Sequence, residues 1–183
     1  MILLIIGVAV FFGVHLLPSL PIKNKLTESI GETKYKMGFS LISILGLGLI
    51  IYGFMLSEFV PLWTPLPWGR DATMIAMPIA AVFLCAANTP NNIKRWVHHP
   101  MLLGIAIWSG THLAANGDLA STIIFASFGF FAIFDIASVT LSHRSKKREP
   151  VSKLWDLGVV VVGLLLTGVL FYFHGSLTGI PLM

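Results

Sequence analysis

Long apolar runs leave this chain one kind of solvent. Six of them, Ile2–Leu20, Met37–Leu56, Asp71–Ala87, His99–Ala115, Leu119–Leu141 and Leu154–His174, suit a ~30 Å hydrocarbon core if some are tilted or short. Only 11% of the residues are charged, whereas a soluble domain carries about 25%. Inside lipid every backbone N–H and C=O must find a partner within the protein, so such runs fold as helices. The expected fold is all-α: a polytopic membrane helix bundle with six transmembrane helices in one domain over residues 1–183.

Several boundaries carry chemical markers. Asp71 is placed to cap the third span, and Pro100 suits the first turn of the fourth. Gly117-Asp118 reads as a helix stop followed by an N-cap, which makes spans four and five a tight hairpin. Pro78 should kink span three. Gly46, Gly48, Ala80, Ala81, Gly104, Ala106 and Gly129 permit close helix approach. Trp63, Trp68 and Trp96 fall near the membrane interfaces.

Loop charge sets the expected orientation. Lys23, Lys25, Lys34 and Lys36 follow span one, Lys94 and Arg95 follow span three, and Arg144, Lys146, Lys147, Arg148 and Lys153 follow span five. Arg70 alone lies on the other side. By the positive-inside rule these three loops face the cytoplasm and both termini face outward. The formal charge of +4 is then explained by topology and anionic membrane lipid, with no nucleic acid partner. The opening MILLIIGVAVFFGVHLLPSL lacks a charged n-region and an A-x-A-like cleavage site, and is read as a mature span. Cys85 is the single cysteine, which excludes an intramolecular disulfide and a CxxCH haem attachment. P-loop, GxGxxG, HExxH, CxxC and GxSxG patterns are absent.

An ionisable residue within a span marks a functional site by default. His15 and His112 both do so, and imidazole is a good axial ligand for haem iron. Trp108 and Asn116 share a helix face with His112. Gly104, two turns back, leaves room there for a flat ring. Asp135 of span five is placed to accept the Nδ1 proton of His15, which would leave the other nitrogen for metal. Counting ~1.5 Å per residue, upright helices would set His15 and His112 about 10 Å apart in depth; a pair of His15 with His99 fits about as well. Either ring also has a plainer role, as a buried histidine bonded to a carbonyl or hydroxyl. His98 and His99 read as an interfacial pair and a helix cap. His174 and His143 read as residues of a span end and of the basic loop.

The segment His99-Pro100-Met101-Leu102-Leu103-Gly104, with Trp108 and His112-Leu113-x-Ala115-Asn116-Gly117-Asp118, strongly resembles the NnrU family. So do Gly13-x-His15-Leu16-Leu17-Pro18-Ser19 and His174-x-x-Leu177-x-Gly179-x-Pro181. The resemblance implies a multi-pass bacterial inner-membrane protein found with nitrite and nitric oxide reductase functions. The family is similar to plant zeta-carotene isomerase, a membrane haem b enzyme, and the motif carries that enzyme's two haem-ligating histidines onto His15 and His112. Haem b would be held non-covalently. The isomerase has a cysteine three residues before its second histidine, where this chain has Ser109, a much poorer iron ligand.

Four functions compete. The first is a haem b protein of nitrogen-oxide metabolism with a redox or gas-binding role and a membrane redox or reductase partner. The second is a haem-dependent cis-trans isomerase of a polyene, against which Ser109 speaks. The third is a methyltransferase, because His99-Pro100-x-x-x-Gly104 is similar to the RHPxYxG motif of isoprenylcysteine methyltransferases. That motif's arginine is here His98, and Met101-Leu102 offer no tyrosine. The fourth is an accessory subunit that assembles a reductase, its histidines satisfied by packing.

Overall fold

The computed structural model describes residues 1–141, 149–180 and 182. His143, Arg144, Lys146, Lys147 and Arg148 of the basic loop, and Pro181, lie outside the described residues. Among those residues the chain is helical with no strand. It divides into two compact units, Met1–Val60 and Pro61–Met183.

In the first unit, α1 (Ile2–Leu16) runs into a short 3-10 turn at Leu17–Ser19, then come α2 (Ile22–Ile30) and α3 (Glu32–Met55). Pro18 and Pro21, which lack a backbone N–H, fall where α1 stops. α2 was not expected. Its pattern is nevertheless written in the sequence: Ile22, Leu26 and Ile30 recur every fourth residue among Lys23, Lys25 and Glu28, and Gly31 ends the helix at φ 83°. α3 starts before the apolar run at Met37, and its first turn carries an exposed Glu32–Lys36 pair at 2.7 Å, with the acid at the N-terminal end.

α1 and α3 pack antiparallel through glycines. Gly7 lies against the backbone of Leu49 and Ile50, Gly46 against Phe11, and Gly53 against Leu3 and Leu4. A Cβ on Gly7 would sit 2.6 Å from the Ile50 nitrogen. Lipid tails supply no hydrophobic drive between helices, so this close backbone approach and its dispersion contacts hold the pair. Of the two expected small residues here, Gly46 is in the seam, whereas Gly48 points outward with nothing within 4 Å of a Cβ.

The second unit contains α4 (Gly69–Asn88), the single turn α5 (Ile93–Trp96), α6 (Pro100–Ala115), α7 (Leu119–Leu141) and α8 (Lys153–Thr178). α4 packs against α6 and α8, and α6 also packs against α7. Pro100 opens α6 as expected. Asp118 caps α7, its Oδ1 accepting from the Ser121 N–H at 2.9 Å. Asp71 does not cap α4. That helix begins at Gly69, which packs on the Ala114 carbonyl, and Asp71 falls within its first turn. A backbone contact to α6, not a carboxylate, sets the start. Pro78 lies inside α4, which continues past it.

Two polar ties close this unit. The Leu62 and Trp63 N–H groups donate to the Gly117 carbonyl at 2.7 and 3.1 Å, and the Leu66 N–H donates to Ala114 at 2.9 Å. The stretch before α4 thus covers the α6–α7 turn. At the other end, Asn92 binds the start of α8. Its Nδ2 donates to Asp156 Oδ2 and to the Val151 carbonyl, both at 2.8 Å. Its backbone N–H donates to Asp156 Oδ1 at 2.6 Å, and its Oδ1 accepts from the Val151 N–H at 3.0 Å. Asn92→Asp would oppose two carboxylates and remove a donor that serves two acceptors. It is expected to lower stability, read as a fall in the thermal midpoint in detergent. An unchanged midpoint would exclude the tie.

Ile, Leu, Val and Phe side chains are exposed along α1, α3, α4, α7 and α8, a surface that water does not tolerate on this scale. Among the described residues four helices are long and apolar enough to cross a membrane: Glu32–Met55, Gly69–Asn88, Leu119–Ser138 and Lys153–Thr178. Ile2–Leu16 and Pro100–Ala115 are apolar but shorter.

Candidate functional site

His15 lies in the last turn of α1, half-buried. Its Nδ1 is 2.7 Å from the carbonyl of Phe11, one turn back. A carbonyl only accepts, so Nδ1 carries the proton and the ring's lone pair is on Nε2. The Phe11 ring stacks on the imidazole at 4.2 Å, and Phe39 of α3 meets it edge-on at 5.1 Å. The Nδ1 partner expected at Asp135 is therefore a backbone carbonyl of the same helix; Asp135 itself is half-buried on α7.

His112 repeats this arrangement on α6. Its Nδ1 donates to the Trp108 carbonyl at 2.8 Å, which again places the lone pair on Nε2. The ring lies 4.7 Å from that of Phe125 and 5.6 Å from that of Trp108. Trp108 is held edge-on by Phe125 and Phe128 of α7, at 5.0 and 5.4 Å. The hairpin at Gly117-Asp118 brings α7 beside α6 and so supplies this aromatic wall.

The other expected residues fall into different roles. Asn116 donates its amide to the His112 carbonyl at 2.8 Å and so caps the end of α6. His99 occupies the position before α6, and its carbonyl accepts the Leu103 N–H at 3.0 Å. Its side chain makes no cap bond, contrary to the expected cap. The room expected beside Gly104 is filled by α4, for a Cβ there would lie 2.9 Å from the Ala80 carbonyl. Gly104 is a helix-contact residue and leaves no space for a ring.

Ser109 is 1% exposed and donates to the Ala106 carbonyl at 3.1 Å. It packs into the gap at Gly129, where a Cβ would come 2.9 Å from its Oγ. Its hydroxyl is thus engaged in the α6–α7 contact. Ser109→Ala is expected to leave any spectrum of a bound cofactor unchanged and to cost about 1 kcal/mol in stability. A shifted spectrum would show that the hydroxyl reaches the cofactor.

Reading the sequence assigned His174 to a span end. In the structure its Nδ1 bonds the Ile180 carbonyl at 2.8 Å. Among the described residues no three His, Cys, Asp or Glu side chains converge as a metal cluster. A porphyrin brings its own four equatorial nitrogens, so the protein need offer only axial donors. A neutral imidazole with Nδ1 bonded to a carbonyl and its lone pair on Nε2 is such a donor, and both His15 and His112 fit that requirement.

Helices of this length, with apolar side chains outward, define an α-helical multi-pass membrane protein. Residues 3–182 match the family model described as NnrU protein, and the chain belongs to the NnrU family. No curated protein and no solved structure shows a significant match to it. Membership is consistent with a membrane protein linked to nitrogen-oxide metabolism.

Proposed function

We propose that this chain is a haem b protein of the bacterial inner membrane, in which His15 and His112 would be the residues that hold the iron, with a redox or gas-binding role in nitrogen-oxide metabolism. The observation that carries this reading is the shared setting of the two imidazoles. Each donates Nδ1–H to a carbonyl four residues earlier, at 2.7 and 2.8 Å, and keeps its lone pair on Nε2. Phe11 and Phe39 flank His15, and Trp108 and Phe125 flank His112; apolar rings beside an imidazole suit a tetrapyrrole. Trp108 orients His112 through its carbonyl, and Asn116 ends the helix one turn beyond. When bound, haem supplies an iron that exchanges an electron or, with a labile axial ligand, takes up a gas.

In this reading α1 and α6 also span the bilayer, giving six spans. The loops that follow α1, α4 and α7 carry the basic residues and face the cytoplasm, with both termini outside. A span of fifteen or sixteen residues is tolerated where flanking residues snorkel or the bilayer thins.

The test is the visible spectrum of the detergent-purified protein, oxidised and reduced, followed by nitric oxide. Low-spin bands that persist under nitric oxide support an electron carrier; bands replaced by a nitrosyl spectrum support a gas binder. The accessory-subunit reading has one observation in its favour, since the Nδ1 bonds also satisfy a purely structural histidine. Protein that stays colourless after haem is supplied would select it.

A further inference from the structure

Between α2 and the first turns of α3 lies a cleft of about 640 Å³ whose charged rim the haem reading does not use. Its rim carries Lys23, Glu28, Glu32 and Lys36, and its apolar wall includes Phe39. Tyr35 also lines it, and its hydroxyl is buried without a hydrogen-bond partner among the described residues.

We propose that this cleft holds the headgroup of a single zwitterionic aminophospholipid, a phosphoethanolamine ester. Three features of the site select it. The first is depth. The cleft opens where the amphipathic helix α2 meets the charged turn of α3, immediately before the apolar stretch that begins at Met37. That is the level at which lipid headgroups and ester oxygens lie.

The second is charge. Two ammonium groups and two carboxylates line the same space, so its net charge is zero. The lysines attract a phosphate, but Glu28 and Glu32 repel a headgroup that carries only negative charge. A dipolar headgroup satisfies both signs. A primary ammonium also donates N–H bonds to carboxylates, which a trimethylammonium cannot do. The Glu32–Lys36 pair at 2.7 Å is largely exposed, and a pair in that setting is worth little by itself. Exchanging it for bonds to a headgroup therefore sacrifices little.

The third is the orphan hydroxyl. A buried donor with no acceptor is costly and rare in native proteins. Among the described residues no carbonyl or side chain accepts from the Tyr35 hydroxyl. Tyr35 lines the cleft, and a small turn of its side chain would bring that hydroxyl out to a phosphate or ester oxygen seated there.

The experiment is native mass spectrometry of the full chain after delipidation and exchange with equimolar phosphatidylethanolamine, phosphatidylcholine and phosphatidylglycerol, paired with thermal unfolding in the same micelles. The wild type should retain one phosphatidylethanolamine, at least fivefold over either competitor, and melt higher in its presence. Tyr35→Phe should lose most of that retention. It should also melt higher than the wild type in lipid-free detergent, because the unpartnered hydroxyl is gone. The double variant Glu28→Gln and Glu32→Gln, on the exposed rim, should shift preference to phosphatidylglycerol. Equal retention of the three lipids, or a Tyr35→Phe variant that binds as the wild type does, would overturn the proposal. So would displacement of the lipid by millimolar soluble phosphoethanolamine, which would make the site one for a small soluble molecule.

Discussion

Protein carrying His112→Gly, purified from haem-replete cells, is expected to lose its haem or to change from low-spin to high-spin, and to regain the low-spin bands when free imidazole is added. The imidazole of His112 is fixed by the Trp108 carbonyl at 2.8 Å and by the rings of Phe125 and Trp108, so its removal leaves a ring-sized gap with the wall intact. Losing an outer partner of a metal ligand costs about 10–100-fold in affinity; losing the ligand itself should cost more. His15→Gly should behave alike. The rescue matters because a structural histidine would not show it: added imidazole would restore no spectrum if the ring served only packing. Asn116→Ala is the matched control, since it removes the cap on the His112 carbonyl while keeping the ligand. It should lower stability by about 1 kcal/mol and leave the band positions unchanged.

The second large effect is mechanical. Gly53→Ala should destabilise the α1–α3 pair strongly, whereas Gly48→Ala, five residues earlier on the same helix, should be neutral or stabilising. Both changes gain about 1 kcal/mol of helix propensity. At Gly48 nothing opposes the gain, as no atom lies within 4 Å of the new Cβ. At Gly53 the Cβ would fall on the Leu4 backbone, and Leu4 is fully buried. Backbone cannot swing aside as a side chain can, so the helices must separate. Overpacking of this kind costs about 1–3 kcal/mol or more. Thermal unfolding in detergent should rank the two variants on opposite sides of the wild type, and equal midpoints would mean that the seam is not formed as described. Because α1 carries His15 and α3 carries Phe39, 5.1 Å from it, Gly53→Ala should also disturb whatever His15 binds.

The helices were readable because lipid demands long apolar runs, and the run from Leu119 to Leu141 is reproduced to the residue. The ends were less readable, because they depend on contacts between segments distant in sequence. Gly69, not Asp71, starts α4, since the decisive neighbour is Ala114. The Asn92–Asp156 tie joins residues far apart in the chain, and no local pattern announces it. Glycines look alike in sequence, yet Gly104 is pressed on Ala80, Gly48 faces outward and Gly129 receives Ser109.

The histidines show the same division. Motif resemblance selected His15 and His112, and helix geometry supplied what the sequence had assigned to a carboxylate. A carbonyl four residues earlier lies beside the ring in any helix, so no acid is required to set the tautomer. α2 is legible in its fourfold apolar spacing, but its charges fit a topological loop equally well.

A pyridine haemochrome count on the purified wild-type protein tests the central claim most directly. The account predicts close to one haem b per chain, non-covalent and low-spin in both oxidation states. A colourless protein that also refuses added haem would contradict it and leave His15 and His112 as structural residues of the bundle.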